Sequence, residues 1–362
     1  MPQVEKDHVT VIAEAGVNHN GSIDLASRLV DAAAAAGADF VKFQTFKAEA
    51  LVTAAAPKAE YQNRNAPESK SQLEMLKGLE LDRAAHLALM ERCRDRGIGF
   101  LSTPFDPESA RLLTDDLKLK LVKVSSGDLT NAPLLLQLAG SGVDLIVSTG
   151  MATMDEVEQA LSVLAFGYVG KGVPRYPQFK AALESESGQH HLQQKVTLLH
   201  CTSDYPAKLP DINLRAMDAL SARFGVKVGY SDHTAGIAIS IAAAARGATT
   251  IEKHLTLDRA LPGPDHAASL EPGDFKALVQ AIRDVQQSLG SAVKAPTAAE
   301  MSTRRVARKA IVAARPITAG ETLSLENLAI KRAGEGMEPI QLWALIGRTA
   351  SRAYAIDEVI EP

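Results

Sequence analysis

The sequence predicts an α/β protein in which eight βα units close into a barrel, followed by a small, mostly β C-terminal domain. Three observations carry that expectation. Short β-rich runs alternate with alanine- and leucine-rich helical segments, the pattern of parallel βαβ units. Eight such units fit into roughly 280 residues, the size of a TIM (β/α)8 barrel. Nearly every strand candidate also ends in polar, reactive side chains, and a barrel brings all eight C-terminal strand ends to one mouth. In a doubly wound open sheet, the main rival, only the ends beside the switch point would need such residues.

The elements follow in order. VTVIAEA (9–15) runs from apolar residues to Glu14. IDLASRLVDAAAAAGA then carries apolar positions at helical spacing and stops at a glycine. DFVKFQ (39–44) holds Lys42 and Gln44, IGFLST (98–103) ends on Ser102 and Thr103, and KLVKVSS (120–126) holds Lys123 and Ser126. VDLIVST (143–149) ends on Ser148 and Thr149, and VTLLHCT (196–202) on His200 and Thr202. VKVGYSD (226–232) leads from Tyr230 to His233, and TTIEKH (249–254) ends on Glu252, Lys253 and His254. LDRAAHLALMERCRDRG and MDEVEQALSVLAFG are helical patterns between strands.

Residues 167–195 read as a surface insertion, from their Gly, Pro and charge content, with His190 and His191 solvated rather than metal-bound. After a last helix at about 272–289, SAVKAPTAAEMSTRR reads as a linker. The expected boundaries are 1–290 for the barrel, 291–303 for the linker and 304–362 for the tail domain, which holds the only tryptophan, Trp343. A domain of about 60 residues is marginal alone and gains stability by packing on a neighbour.

Composition excludes several classes. A net charge of −4 with no basic block argues against nucleic acid, and 4% aromatic residues argue against a base-stacking surface. No apolar run approaches the about 18 residues of a membrane span. The N-terminus MPQVEKDHVTVIAEAG lacks a signal-peptide layout. Two cysteines, Cys93 and Cys201, suit a reducing compartment, so a cytoplasmic location is expected.

The chemistry gathers at the strand ends. His233 and His254 end consecutive strands and would stand side by side. Two neutral imidazoles with open positions suit Mn²⁺, Mg²⁺ or another divalent ion, with Glu252 orienting a ligating ring. The plainer alternative is that each histidine caps its strand. Lys42 and Lys123 lie inside apolar strands, where a lone ammonium is costly, so they must be paired or functional. They would bind an anion or form a Schiff base. A salt bridge to Glu14 or Asp128 is the structural alternative. Thr103, Ser126, Ser148, Ser203 and Ser231 gather at the same end, and SSGD (125–128) and STGM (148–151) have the form of anion sites. Taken singly they also look like ordinary helix caps. With two lysines they point to a phosphorylated small molecule. There is no P-loop, no G-x-G-x-x-G after a strand and no H-E-x-x-H.

The motifs IAEAGVNHNG, VKFQTF, STPFD, KVSSGD, STGM, LLHCTSDYP, GYSDHT, IEKHLTLDR and PGPDH, in this order, resemble the sialic acid synthase family. These are the phosphoenolpyruvate-dependent N-acetylneuraminate synthases and their legionaminic and pseudaminic acid relatives. The tail, with GETLSLENLAIKRAGEG, looks like the antifreeze-like (SAF) domain that closes these enzymes. The resemblance implies condensation of phosphoenolpyruvate with the open-chain aldehyde of an N-acetylated hexose, giving a nine-carbon 2-keto acid and phosphate by C–O cleavage. It implies a divalent metal on His233 and His254, Mn²⁺ foremost, with Mg²⁺ or Co²⁺ as alternatives. By motif position, Glu14 matches a proton-transfer residue near both substrates. Lys42 and Thr103 match groups at the phosphoenolpyruvate carboxylate, and Lys123, Ser126, Ser148, Ser203 and Ser231 its phosphate cradle. Gln44, Tyr205 and Asp265 match sugar-facing positions. Arg332 matches an arginine that enters the partner's barrel in a domain-swapped homodimer.

Two positions depart from the family pattern. Ser203 stands where some members have asparagine, and Ala333 where many have proline. HCTSDYPA and the long insertion lean toward relatives that use diacetamido-trideoxy hexoses rather than N-acetylmannosamine. Three other functions compete. A Schiff-base aldolase would use Lys42 or Lys123 as nucleophile. A phosphoenolpyruvate aldolase making a sugar-phosphate 2-keto acid would not need the antifreeze-like tail. A non-enzymatic carbohydrate-binding protein would not need the lysines.

Overall fold

The computed structural model describes residues 8–58, 71–170 and 172–361. The start of the expected barrel domain, Lys171 in the insertion and the last residue of the tail lie outside the described residues. The chain divides into two compact units, Met1–Gly290 and Ser291–Pro362.

The first unit is built on eight parallel strands: β1 (Thr10–Gly16), β2 (Phe40–Thr45), β3 (Gly99–Pro104), β4 (Leu121–Val124), β5 (Asp144–Ser148), β6 (Val196–Cys201), β7 (Lys227–Asp232) and β8 (Thr250–His254). Their ladder order is β3-β2-β1-β8-β7-β6-β5-β4. The first and last strands pair in register, Glu14 beside His254, and β3 packs beside β4. This is the expected TIM-like barrel rather than a doubly wound sheet. No helix among the described residues is long and apolar enough to cross a membrane.

The helices obey local rules. In Ile23–Ala36 the Ser22 hydroxyl accepts from the Leu25 amide, and Gly37 ends the helix at φ 84°. Ala26, Leu29, Val30, Ala33 and Ala36 form its buried stripe. Truncating Leu29, which has no exposure, would cost about 2–5 kcal/mol.

Side chains alternate across the barrel wall. Ile12, Leu101, Ile146 and Leu199 form a buried cluster with Phe40 and Leu121 packed against it. These come from six different strands and make the floor of the lumen. Leu199 leans into the room left by Gly229, where a Cβ would stand 2.7 Å from Leu199 Cδ2.

The segment 167–195 differs from the surface excursion expected of it. Gly167 lies within the helix Met154–Val169, and two further helices, Tyr176–Glu184 and Glu186–Lys195, complete the segment. Gly167 is there for packing, since a Cβ would come 2.6 Å from Ala139 Cβ. Ser185 ends one helix and caps the next, accepting from the Gly188 amide. Phe166 and Phe179 stack edge to face at 5.2 Å, which ties the insertion to the barrel helix. His190 is exposed and its ring lies 6.1 Å from that of His191.

The second unit opens with a helix, Glu300–Ala307, that covers the end of the stretch read as linker. Thr297 donates its amide and hydroxyl to Glu300, a local cap that composition alone did not suggest. Strands β9 (Lys309–Ala313) and β10 (Leu328–Arg332) pair antiparallel. Ile311, Ile317, Leu323, Leu345, Tyr354 and Ile360 form the unit's own small core.

Three buried histidines outside the barrel mouth set an acid limit on stability. His19 has no exposure, and its Nδ1 accepts from the Gly21 amide at 3.0 Å. Burial, then the neighbouring His86 and His266, push His19 down from 6.5 to about 4. His266, between Thr256 and Asn20, is also pushed by burial to about 4. Both pKa values are depressed on folding, so the stability they lend is complete above about 6.5 and is lost as pH falls toward 4. The denaturation midpoint should therefore drop across that window. His19→Gln should flatten the drop by an amount on the order of 3 kcal/mol. An identical pH slope in the variant would contradict this account.

Candidate active site

The site is read upward from the apolar floor. Two residues beyond Ile12, Phe40, Leu101, Leu121, Ile146 and Leu199 stand Glu14, Lys42, Thr103, Lys123, Ser148 and Cys201. Two-residue steps keep a side chain on the same face, so an apolar layer is followed directly by a polar one. On β7 and β8 the same layer holds Ser231 and Glu252.

Other polar strand ends face away from the lumen. Ser102 donates to the Phe43 carbonyl, Thr149 to that of Leu199, and His200 to that of Ile212. Lys253 pairs with Asp232.

The layer is one electrostatic network. Lys42 Nζ lies 2.8 Å from Glu14 Oε2, 3.5 Å from Glu252 Oε2 and 3.1 Å from Thr103 Oγ1. Lys123 Nζ donates to Ser148 Oγ at 2.6 Å and lies 3.9 Å from Glu252 Oε1. Ser231 Oγ donates to that same oxygen at 2.8 Å. Glu14 is therefore the structural partner found for Lys42. Asp128 is engaged elsewhere, with Ser125 and Asn131.

The two carboxyls divide unequally. Burial opposes ionisation of Glu252, but Lys123, Lys42 and the Ser231 hydroxyl outweigh it and hold Glu252 at about 2. Burial lifts Glu14 to about 7 against the pull of Lys42, with the charge on Glu252 adding to the rise. The Lys42 contact alone would depress Glu14. The upward direction stands, because burial outweighs the one ammonium in contact with Glu14 and the charge on Glu252 works the same way as burial. For Lys42, burial is outweighed by its two carboxylates and its pKa is raised. For Lys123, burial wins and its pKa is lowered.

His233 and His254 stand above this layer, with ring centroids 5.5 Å apart. His233 Nδ1 donates to the Thr202 carbonyl at 2.7 Å, which leaves Nε2 with its lone pair. Burial first, then the charge of the other imidazole and Lys42, holds His254 well below 6.5. Burial also lowers His233. Both rings are therefore neutral at pH 7. His254 Nδ1 is buried without a hydrogen-bond partner, 4.0 Å from Asp265 Oδ2. Among the described residues, no group of three or more His, Cys, Asp and Glu forms a ready cage. Two neutral imidazoles, one with an orphaned buried nitrogen, fit a divalent ion that keeps open positions.

The residues read as sugar-facing fall around this pair. The Tyr205 ring lies 4.2 Å from that of His233 and 5.8 Å from that of His254. Asp265 is buried, which pushes its pKa to about 6. Gln44 Nε2 comes near Glu14 across Gly16, which has φ +52°. Arg332 ends β10 in the other unit, exposed and opposite Lys309.

Two residues of the hydroxyl cradle were missed. Cys201 Sγ lies 3.2 Å from Ser126 Oγ. Gly150 donates its amide to Ser126 Oγ at 3.0 Å, and a Cβ there would collide with Ser203 Oγ and stand 2.8 Å from Ser126 Oγ. Ser126 and Ser203 thus share one small concavity that glycine keeps open. The signal for Cys201 was present: it follows floor residue Leu199 by two positions.

Such a lumen, cationic and hydroxyl-lined above an apolar floor, is the chemistry of an enzyme that takes a small anion. The comparisons agree. The NeuB family model matches residues 29–294, and the SAF domain model matches residues 308–362. The N,N'-diacetyllegionaminic acid synthase of Campylobacter jejuni is 44% identical, over 97% of this chain and 98% of its own. That of Legionella pneumophila is 44% identical, over 94% of this chain and 90% of its own. The structure of the N-acetylneuraminic acid synthetase of Leptospira borgpetersenii in complex with citrate superposes with a TM-score of 0.66. It is 33% identical and covers 82% of this chain and 90% of that one. The chain belongs to the NeuB family, and like its relatives it is an enzyme.

The network predicts its own sensitivity. Glu252→Gln leaves two buried ammoniums with Glu14, the partner of Lys42, as the one remaining carboxyl of the layer, and should destabilise the barrel by about 3–5 kcal/mol. Adding Lys123→Met should recover part of that loss. The coupling in a urea double-mutant cycle should be about 1–3 kcal/mol. Strict additivity would show that the two side chains do not interact.

Proposed function

We propose that the enzyme condenses phosphoenolpyruvate with a 2,4-diacetamido-trideoxy hexose to give a legionaminic-type nine-carbon 2-keto acid and phosphate. The observation that carries the reading is the buried layer in which Lys42 and Lys123 face hydroxyls on one side and share Glu252 on the other. The choice of sugar rests on the two legionaminic acid synthases at 44% identity. N-acetylmannosamine is the alternative substrate.

The residues divide the work. Lys42 and Thr103 receive the carboxylate of phosphoenolpyruvate. Lys123, Ser126, Ser148, Ser203 and Ser231 hold its phosphate. Gln44, Tyr205 and Asp265 face the sugar. A divalent ion on His233 and His254, Mn²⁺ foremost, supplies Lewis acidity toward the sugar aldehyde when bound. The enol π pair of phosphoenolpyruvate forms the new bond from C3 to the aldehyde carbon. Glu14, at about 7, gives the developing alkoxide its proton. Water adds at C2 and loses one proton, which restores Glu14; the C2–O bond to phosphate then breaks as the C2 hydroxyl becomes the ketone and its proton leaves with phosphate. Neither lysine needs to become covalent. Arg332, exposed in the C-terminal unit, serves the barrel of a second copy in a swapped homodimer, and the enzyme works in the cytoplasm.

Assays with N-acetylmannosamine and with the 2,4- and 4,6-diacetamido sugars should favour the 2,4-diacetamido substrate by at least about tenfold in kcat/KM, worth about 1.4 kcal/mol. Bridging ¹⁸O in phosphoenolpyruvate should leave with phosphate. Label retained in the keto acid would overturn C–O cleavage, and a borohydride-trapped pyruvyl-lysine would move the enzyme to the aldolase class. Chelation should abolish turnover and Mn²⁺ restore it; full activity after exhaustive chelation would remove the metal from the reading.

The acid role of Glu14 has a sign. Its proton is present below about 7 and lost above, so kcat should fall as pH rises through that value. Glu14→Gln should lower kcat about 100-fold or more and remove that inflection. An unchanged inflection in the variant would assign it to another group.

A further inference from the structure

On β7 and β8 the residues facing the lumen are separated by residues facing the other way. Asp232 lies between Ser231 and His233, and Lys253 between Glu252 and His254. The strand register sets Asp232 directly beside Lys253. Their charged groups meet at 3.0 Å, and neither side chain has any solvent exposure (0%/0%).

The bonds of this pair converge on the residue after His233, with one further anchor on a neighbouring helix. Asp232 Oδ1 accepts from the amide and the hydroxyl of Thr234, at 2.9 and 2.8 Å. Asp232 Oδ2 accepts from Ser240 on the helix Ala238–Ala245. Lys253 Nζ donates to the Thr234 carbonyl. The residue after His233 is thus gripped at both its amide and its carbonyl. His233 itself is held by its carbonyl, which accepts from Ala207, and by Nδ1 on the Thr202 carbonyl.

A buried ion pair is a poor way to gain stability, since an apolar pair of the same volume often does as well or better. What charge adds is direction: five fixed contacts define one geometry, where an apolar pair would tolerate slippage. A ligating constellation needs its groups held to within about 0.5 Å.

We propose that Asp232 and Lys253 are positioning residues, buried outside the lumen, that fix the spacing of His233 and His254 and thereby the affinity of that pair for a divalent cation. The proposal rests on the reading of the two histidines as a metal-binding pair.

The test uses the full chain, stripped with chelator and titrated with Mn²⁺ alone, with free ion followed by electron paramagnetic resonance. The variants are Lys253→Met, the double Asp232→Asn with Lys253→Met, and Ser240→Ala, which removes a single hydroxyl from Asp232. Thermal melts define a temperature at which each is fully folded. His254→Ala serves as the control. At that temperature Mn²⁺ should bind the wild type, be lost in His254→Ala, and bind at least tenfold more weakly in Lys253→Met or in the double variant. Ser240→Ala should give a smaller weakening in the same direction. If the folded variants bind Mn²⁺ as the wild type does while His254→Ala has lost it, the pair is merely structural and the positioning role is overturned. Ser240→Ala alone decides in this way should the charge variants fail to fold. If His254→Ala binds Mn²⁺ as the wild type does, the metal reading fails and the positioning role falls with it.

Discussion

Two lysine ammoniums inside one closed lumen are the constraint on which the barrel depends. An isolated buried ammonium is prohibitively costly, so Lys42 and Lys123 require carboxylates within a few ångströms. Glu252 lies within reach of both, and Glu14 of Lys42. This arrangement demands closure. Glu14 and Glu252 sit on β1 and β8, the first and last strands of the barrel, which meet only because those strands pair. Charge balance is incomplete, because Glu14 rests near neutrality rather than in the ordinary carboxylate range. The lumen is therefore biased toward positive charge, and an incoming anion completes it. An anion beside Lys42 would weaken that lysine's pull on Glu14 and raise Glu14 further.

Much of this was legible in the sequence because strand periodicity is rigid. Once Ile12, Phe40 or Leu101 is assigned to the floor, the residue two positions on must enter the lumen, and Glu14, Lys42 and Thr103 do. The same rule separates His233 and His254 from Asp232 and Lys253, although all four stood out by type. What sequence reading could not weigh was packing. Gly167 reads in the sequence as the start of a surface insertion and is instead a helix residue pressed onto Ala139. Cys201 was weighed for redox compartment, yet it stands beside Ser126 in the cradle. His19 and His266 stand in the motifs IAEAGVNHNG and PGPDH, yet nothing in the sequence showed that they and His86 would be fully buried.

In the proposed reading, the fold and the choice of sugar rest on different parts of the chain. Strand registers set the charged layer. Tyr205 and Asp265 come from segments beyond the strand ends, where substitution leaves the ladder untouched. Those segments are nonetheless anchored. Asn18 Nδ2 donates to the Leu255 carbonyl and to Ser269 Oγ, and Ser269 in turn donates to the Asp265 carbonyl. Asn20 holds the Pro262 carbonyl, and His266 links Thr256 to Asn20.

The loop after β1 therefore clamps the loop after β8 across the seam where the barrel closes. Asp265 is held by backbone contacts rather than by its own carboxyl, which stays available to a ligand near His254. A side chain fixed in this way recognises by position, at little entropic cost on binding. The contacts that close the barrel and those that orient the loop carrying Asp265 thus lie along the same seam. A substitution at Asn18 would consequently loosen the loop that carries Asp265 before it disturbed the charged layer beneath.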